Sequence, residues 1–130
     1  MDSRVLFVTP YPQDGRSVAK MLDDISIPMV HAANLTEAAA RLKTGRFKVV
    51  LTEANLEDGT WLNVLELTRA AGIELVVTSA WADARFWATA INLGAYDMLA
   101  QPFSRMEVHR VLAGASSQHF GMKVAAAAAS

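Results

Sequence analysis

The stretch Phe47-Lys48-Val49-Val50-Leu51-Thr52-Glu53-Ala54-Asn55-Leu56-Glu57-Asp58-Gly59 decides the fold. Its first half is almost continuously apolar and rich in β-branched residues. That is the pattern of a strand covered on both faces. The run stops at a carboxylate, Glu53, and passes into the turn-forming cluster Asn55 to Gly59. In an open parallel α/β sheet, ligands and chemistry gather at the carboxyl ends of the strands. Glu53 therefore stands where chemistry would be, and its partners decide what it can do.

Outward from this stretch, two kinds of segment alternate. Further strand-like runs are Val5 to Thr9, Ile27 to Val30, Ile73 to Thr78 and Ala95 to Leu99. Pro28 marks the second of them as an edge strand, because proline cannot donate to a ladder. Helical periodicity lies between the runs. Ser17 to Asp24 puts Val18, Met21, Leu22 and Ile25 on one side. Asn34 with Glu37 makes a capping-box start, and Gly45 a stop. Thr60 caps a third helix that turns Leu62, Leu65 and Ala70 inward and ends at Gly72. Asp83 caps a fourth that runs to Leu93 and Gly94; if Ala84, Ala88 and Ile91 face inward, Trp87 is exposed. Ser104 with Glu107 opens a fifth that buries Val108, Val111, Leu112 and Ala115. Five β-α units with short connections make a doubly wound α/β sheet with helices on both faces, a three-layer (βα)5 sandwich. Residues 1–118 are expected to form this one domain. Residues 119–130, ending in an alanine-rich run, are expected to be a tail that is disordered or foreign to the domain.

Composition narrows the function. The chain of 130 residues is 52% hydrophobic and 19% charged, with a formal net charge of -1. It shows no basic face for a phosphate backbone, so no nucleic-acid partner is expected. Cysteine is absent, which removes disulfides, thiolate chemistry and thiolate zinc sites. His31, His109 and His119 lack a second ligand at metal spacing. Neither a signal peptide nor a membrane-length apolar run is present, so the expectation is a cytoplasmic protein without a membrane partner. The loop Thr9-Pro10-Tyr11-Pro12-Gln13-Asp14-Gly15 is not a phosphate-binding glycine loop, and no cofactor is indicated. No nucleophile–base pair can be assembled, so an enzyme is not expected.

Three segments resemble the receiver domain of two-component response regulators. Val49 to Gly59 resembles its third strand and following loop. Leu75-Val76-Val77-Thr78-Ser79-Ala80 resembles its fourth strand, which ends in a Thr/Ser-Ala pair. Ala90 to Phe103, with Gly94-Ala95 and Pro102-Phe103, resembles the segment that normally ends in Lys-Pro-Phe. The resemblance runs over about residues 4 to 115 and implies a flavodoxin-like sheet of order 2-1-3-4-5. It also implies a cis Gln101–Pro102 bond, as is usual for the family's Lys-Pro.

The departures from the family pattern carry the functional message. Receiver chemistry uses a nucleophilic aspartate, an acidic pair that holds Mg²⁺, a hydroxyl donor and a lysine. Here Glu53 stands at the phosphoacceptor position. The acidic pair falls on Thr9-Pro10, the hydroxyl on Ser79 and the lysine on Gln101; Asp14, farther along, is a poor substitute. The extra methylene of glutamate moves the carboxylate by roughly 1.5 Å, and in-line transfer tolerates little misplacement. The expected function is a degenerate receiver, a pseudo-receiver in a two-component or phosphorelay setting. It is expected not to be phosphorylated, not to bind Mg²⁺, and to act by binding protein. Two other readings stand beside it: a working phosphorelay receiver with unorthodox chemistry, and a flavodoxin-like domain that binds a small ligand.

The individual residues each carry two readings. Glu53 is either a built-in phosphorylation mimic or a relic. Ser79 is either a retained switch hydroxyl or a strand-end serine bonded to backbone. Gln101 either bridges to Glu53 or points to solvent. Glu57-Asp58 reads as turn chemistry. Trp61 is expected over the strand-three loop, and Trp81 over the retired site. By resemblance the fourth helix, fifth strand and fifth helix form the partner face, with Phe86, Trp87 and Met98 as partner-binding residues. The partner on that face would be a kinase, an effector domain or a second copy.

Overall fold

The structure, a computed structural model, describes residues 4–116. The expected tail over 119–130, His119 and the last residues of the expected domain lie outside the described residues. In chain order the strands are β1 (Val5–Val8), β2 (Met29–Ala32), β3 (Val49–Glu53), β4 (Asn55–Leu56), β5 (Gly59–Thr60), β6 (Glu74–Ser79) and β7 (Asp97–Ala100). The helices are α1 (Pro12–Asp23), α2 (Leu35–Thr44), α3 (Trp61–Ala71), α4 (Ala84–Leu93) and α5 over 105–116. Five strands form one parallel sheet in the order β2-β1-β3-β6-β7. Counted by themselves, these strands run 2-1-3-4-5, the flavodoxin-like order. β4 and β5 form a small antiparallel pair inside the loop after Glu53.

Helices cover both faces of the sheet. Alternate residues of the buried strands serve opposite layers, as a period of two requires. Val5 and Phe7 pack with Val18 and Leu22 of α1 and with Val108, Val111 and Leu112 of α5. Leu6 and Val8 pack with Ala38 of α2, Val64 and Leu65 of α3, and Ala90 of α4. The expected caps of α2, α3 and α4 hold. Asn34 accepts the Glu37 N–H at 2.9 Å, Thr60 the Leu62 N–H at 3.2 Å, and Asp83 the Phe86 N–H at 2.8 Å. Gly72 ends α3 in the left-handed region at φ 71°, where a side chain would be strained.

Several boundaries and faces differ from the sequence reading. α1 begins at Pro12 rather than Ser17, because proline at the first helical position has a helical φ and lacks only an N–H that would be unpaired there. β2 is the edge strand, but it starts after Pro28 and runs to Ala32. In α3 the inward residues are Trp61, Val64, Leu65 and Thr68, while Leu62 and Ala70 are exposed. In α4 the inward pair is Phe86 and Ala90; Ala84 and Ala88 are exposed and Ile91 is half-buried. Phe86 leans on the Trp61 ring, with centroids 6.1 Å apart, and this contact sets the rotation of α4.

Candidate functional site

Three strand ends and one helix start converge at the carboxyl edge of the sheet. β3 delivers Glu53 as its last residue, and the register sets it opposite Thr78 of β6. β7 leads directly into Gln101, and Thr9 follows β1. Asp14 lies in the first turn of α1. The Gln101–Pro102 peptide is cis.

Glu53 is only 8% exposed. Its Oε2 accepts a hydrogen bond from Gln101 Nε2 at 2.7 Å, and the same nitrogen donates to Thr78 Oγ1 at 3.2 Å. The amide must point this way, since the reverse would set its oxygen against a carboxylate. So Gln101 bridges to Glu53 rather than pointing to solvent. Burial raises the proton affinity of Glu53 above the ordinary carboxylate value, the Gln101 bond opposes that, and the charge of Asp14 adds to it. Burial also raises that of Asp14.

The remaining sequence-predicted positions are turned elsewhere. Ser79 Oγ accepts the Trp81 N–H at 3.0 Å, so its hydroxyl serves the turn and not Glu53. Thr9 is fully buried, and its Oγ1 accepts the Tyr11 N–H at 3.1 Å. Its carbonyl accepts from His31 Nε2 at 2.7 Å, which gives His31 a structural role. Pro10 offers no side-chain ligand atom. This donor set does not fit a Mg²⁺ ion: the two positions that would hold it carry no carboxylate. Among the described residues, no group of three His, Cys, Asp or Glu side chains could hold a metal. Half of the Thr9–Gly15 loop is the first turn of α1.

Thr78 is the site residue that the sequence reading missed. Its signal was register, not motif. Thr78 and Ser79 are adjacent, and only the pairing of β3 with β6 places the first of them opposite Glu53. Asp58, read as turn chemistry, caps a helix instead. It accepts the Leu35 N–H at 2.8 Å and the Thr36 N–H at 3.0 Å, at the start of α2.

The aromatic residues separate into buried and exposed groups. Trp61 is buried beside Ala54, whose carbonyl accepts its N–H at 3.0 Å, so it does pack under the strand-three loop. Trp81 does not cover the site: it is 83% exposed and does not line the cleft beside Gln101. Of the three residues expected on the partner face, Met98 is buried and Phe86 is tucked against Trp61, so neither offers much surface. Trp87 is 49% exposed, with its indole N–H donated to Asp97 Oδ1 at 3.0 Å. Beside the Glu53 network lies an open cleft of about 470 Å³, bounded by Asp14, Ser17 and Met21 of α1, by Ala80, and by Gln101 to Phe103.

No family model matches the chain. It is 28% identical over 127 residues to the swarming motility regulation protein RssB of Serratia marcescens, a match that covers 91% of this chain and 58% of that protein. The chain thus spans little more than half the length of this relative. Among solved structures, a CheY-like response regulator receiver domain protein from Methanospirillum hungatei superposes with a TM-score of 0.82 at 17% identity, over 94% of this chain and 99% of that one. The beryllofluoride-activated NtrC4 receiver domain dimer gives a TM-score of 0.81 at 23% identity, over 89% and 98%. The fold is that of response-regulator receiver domains, as the resemblance in the three segments implied.

Proposed function

We propose that this chain is a receiver-type signalling module that works without phosphoryl transfer and passes on its state by binding protein. The carrying observation is the 2.7 Å bond between Gln101 and Glu53. A neutral amide occupies the place from which a cation would have to meet the phosphoryl oxygens, and it holds one of the two Glu53 carboxylate oxygens. Phosphoryl transfer relies on positive charge at the transferring group. Neither Thr9, Pro10 nor Gln101 supplies any. On this reading the module is not an enzyme, takes no Mg²⁺ or other cofactor, and acts in the cytoplasm.

Support for a protein-binding face comes from α4, β7 and α5. One oxygen of Asp97 accepts both the Trp87 indole N–H at 3.0 Å and the Met98 N–H at 2.7 Å. The ring is held in place while half of it faces solvent, and preorganised aromatics suit interface centres. A shallow hollow of about 260 Å³ adjoins it, lined by Ala82, Asp83, Trp87, Met98 and Glu107 among others. The partner would be a kinase, an effector domain or a second copy. The NtrC4 receiver is described as a dimer, which favours including the last.

Acetyl phosphate with Mg²⁺, read by intact mass, tests the proposal. An unchanged mass is expected. An adduct of one phosphoryl group would overturn it and favour the working-receiver reading, to which the nearness of Asp14 to Glu53 lends some support. Glu53 supplies one charge and two oxygens, against about -1.5 to -2 and three for a phosphoryl group. If it acts as a mimic, Glu53→Gln weakens self-association or partner binding; unchanged association makes it a relic.

A further inference from the structure

We propose that the groove between α2 and α3 is a self-association surface, filled by a second copy of this chain from across a two-fold axis. The groove lies on the sheet face opposite α1 and α5. It is also separate from the α4–β7–α5 face, and the inference does not depend on that face being used.

Shape supplies the first argument. An open groove of about 590 Å³ runs between the two helices, lined by Leu35, Ala39, Lys43, Asn63, Glu66 and Leu67 among others. A smaller hollow of about 240 Å³ continues it toward the helix ends, where Leu42, Ala70 and Ala71 join the lining. The helices cannot roll inward to close it. Ala38, Val64 and Leu65 fix them on the sheet. Asp58 holds the Leu35 and Thr36 N–H groups at one end of the groove, and Asn63 there accepts the Thr60 N–H at 3.0 Å. Leu67 is half-buried yet belongs to neither core. A fixed apolar groove gains from being covered, and little reordering opposes the binding.

Charge identifies the occupant. Lys43 on α2 and Glu66 on α3 are the two charged side chains that line the groove, one on each wall. Both are exposed, and among the described residues neither takes part in an ion pair. A partner of one sign would be drawn to one wall and repelled by the other. A two-fold axis instead sets each charge against its opposite, because in an isologous contact residue i meets j and j meets i. α2 and α3 run in the same direction, as the crossovers of one parallel sheet require. With the axis near Ala40, α2 of each copy lies antiparallel in the groove of the other. Its last turn then comes to the first two turns of the facing α3, where Asn63 and Glu66 stand. Lys43 reaches Glu66 of the second copy, twice over, with its methylene stem on the apolar floor. The helices have 10 and 11 residues, which is roughly 15–17 Å of length at 1.5 Å per residue. Such a patch is smaller than the ~800 Å² per partner of a standard interface, so the dimer is a weak one.

The test is sedimentation velocity of the full chain up to millimolar concentration. The samples are the wild type, Lys43→Glu, Glu66→Lys, the double variant, an equimolar mixture of the two single variants, and Trp87→Ala, each shown to be folded by circular dichroism. The wild type is expected to dimerise reversibly, and less so with added salt. Each single swap sets like charges together at both contacts and should weaken the dimer about tenfold or more. The mixture and the double variant restore two opposite-charge contacts and should recover the dimer, which a misfolded variant could not do. Trp87→Ala should dimerise like the wild type. A wild type that stays monomeric throughout would overturn the proposal. Single swaps that dimerise like the wild type, or a loss that the mixture does not recover, would overturn it too. Loss of the dimer in Trp87→Ala would also overturn it, in favour of self-association through the α4 side.

Discussion

Gln101 directs its amide nitrogen inward to Glu53 and Thr78 at once. Glu53 thereby keeps a donor in a place where an unpartnered carboxylate would be costly. Gln101→Ala removes that donor, and hydrogen bonds to charged groups are worth about 1.5–3 kcal/mol. A loss of that size is expected in urea unfolding at neutral pH; an unchanged midpoint would mean that water replaces the amide at no cost. The ionisation of Glu53 has a definite sign. Its folded proton affinity is raised, chiefly by burial. The folded state therefore holds its proton longer than the unfolded chain, and stability declines as pH rises from about the ordinary value of 4.5 through the folded value. Glu53→Gln removes this decline. The variant should gain on the wild type toward neutral pH, and the gain should shrink below that ordinary value in melts across the range. That Glu53 and Gln101 come to one edge was legible from the strand runs and the resemblance, but the bond between them was one of two open readings. Thr78 was not legible, because motif position favoured Ser79 and a shift of one residue exchanges the sheet faces.

The start of α2 shows how an element can depend on a distant loop. Asn34 caps it locally, as the spacing to Glu37 predicts. Asp58 then reaches in from between β4 and β5 and takes the N–H groups of Leu35 and Thr36 and the Thr36 hydroxyl, at 2.8, 3.0 and 2.9 Å. The Leu35 N–H, first, and then the Thr36 groups hold the Asp58 carboxyl below the ordinary 3.8. Its contribution is thus present above the unfolded value and is lost as pH falls through the folded one. Asp58→Asn should lower stability near neutrality and flatten the acid side of the profile. Urea midpoints at about pH 3 and about pH 6 read both effects; parallel profiles would leave Asp58 without a capping role. The loop after Glu53 and α2 are joined by this clamp, so a partner that displaces the loop also loosens α2. Sequence spacing exposes a local cap but not one that reaches across 23 residues. The same limit misplaced the inward faces of α3 and α4. Apolar residues lie on more than one side of each, and the Trp61–Phe86 contact between them settles the rotation.

On the scale of the whole molecule, the sheet divides the interior in two. The layered sheet was legible because near-continuous apolar runs, separated by capped helices, admit few other arrangements, while the strand order was implied by the resemblance of three segments to receiver domains. What the runs do not show is which helices share a layer. α1 and α5 cover one face, and α2, α3 and α4 the other. Val64 of α3 and Val111 of α5 belong to opposite cores, and both are essentially inaccessible to solvent. Each Val→Ala change deletes two buried methyl groups and should cost about 2 kcal/mol, from ~0.8 kcal/mol per group and a small cavity term. Together they should leave a domain of ordinary stability, about 5–15 kcal/mol, still folded. With the backbone layer between them and no shared side-chain partner, the two losses should add within about 0.3–0.5 kcal/mol in guanidinium unfolding. A larger coupling energy would mean that the sheet passes strain from one face to the other. The α4 side and the cleft beside α1 would then respond to binding as one unit, since the Glu53–Gln101–Thr78 bonds join the ends of three strands that separate them.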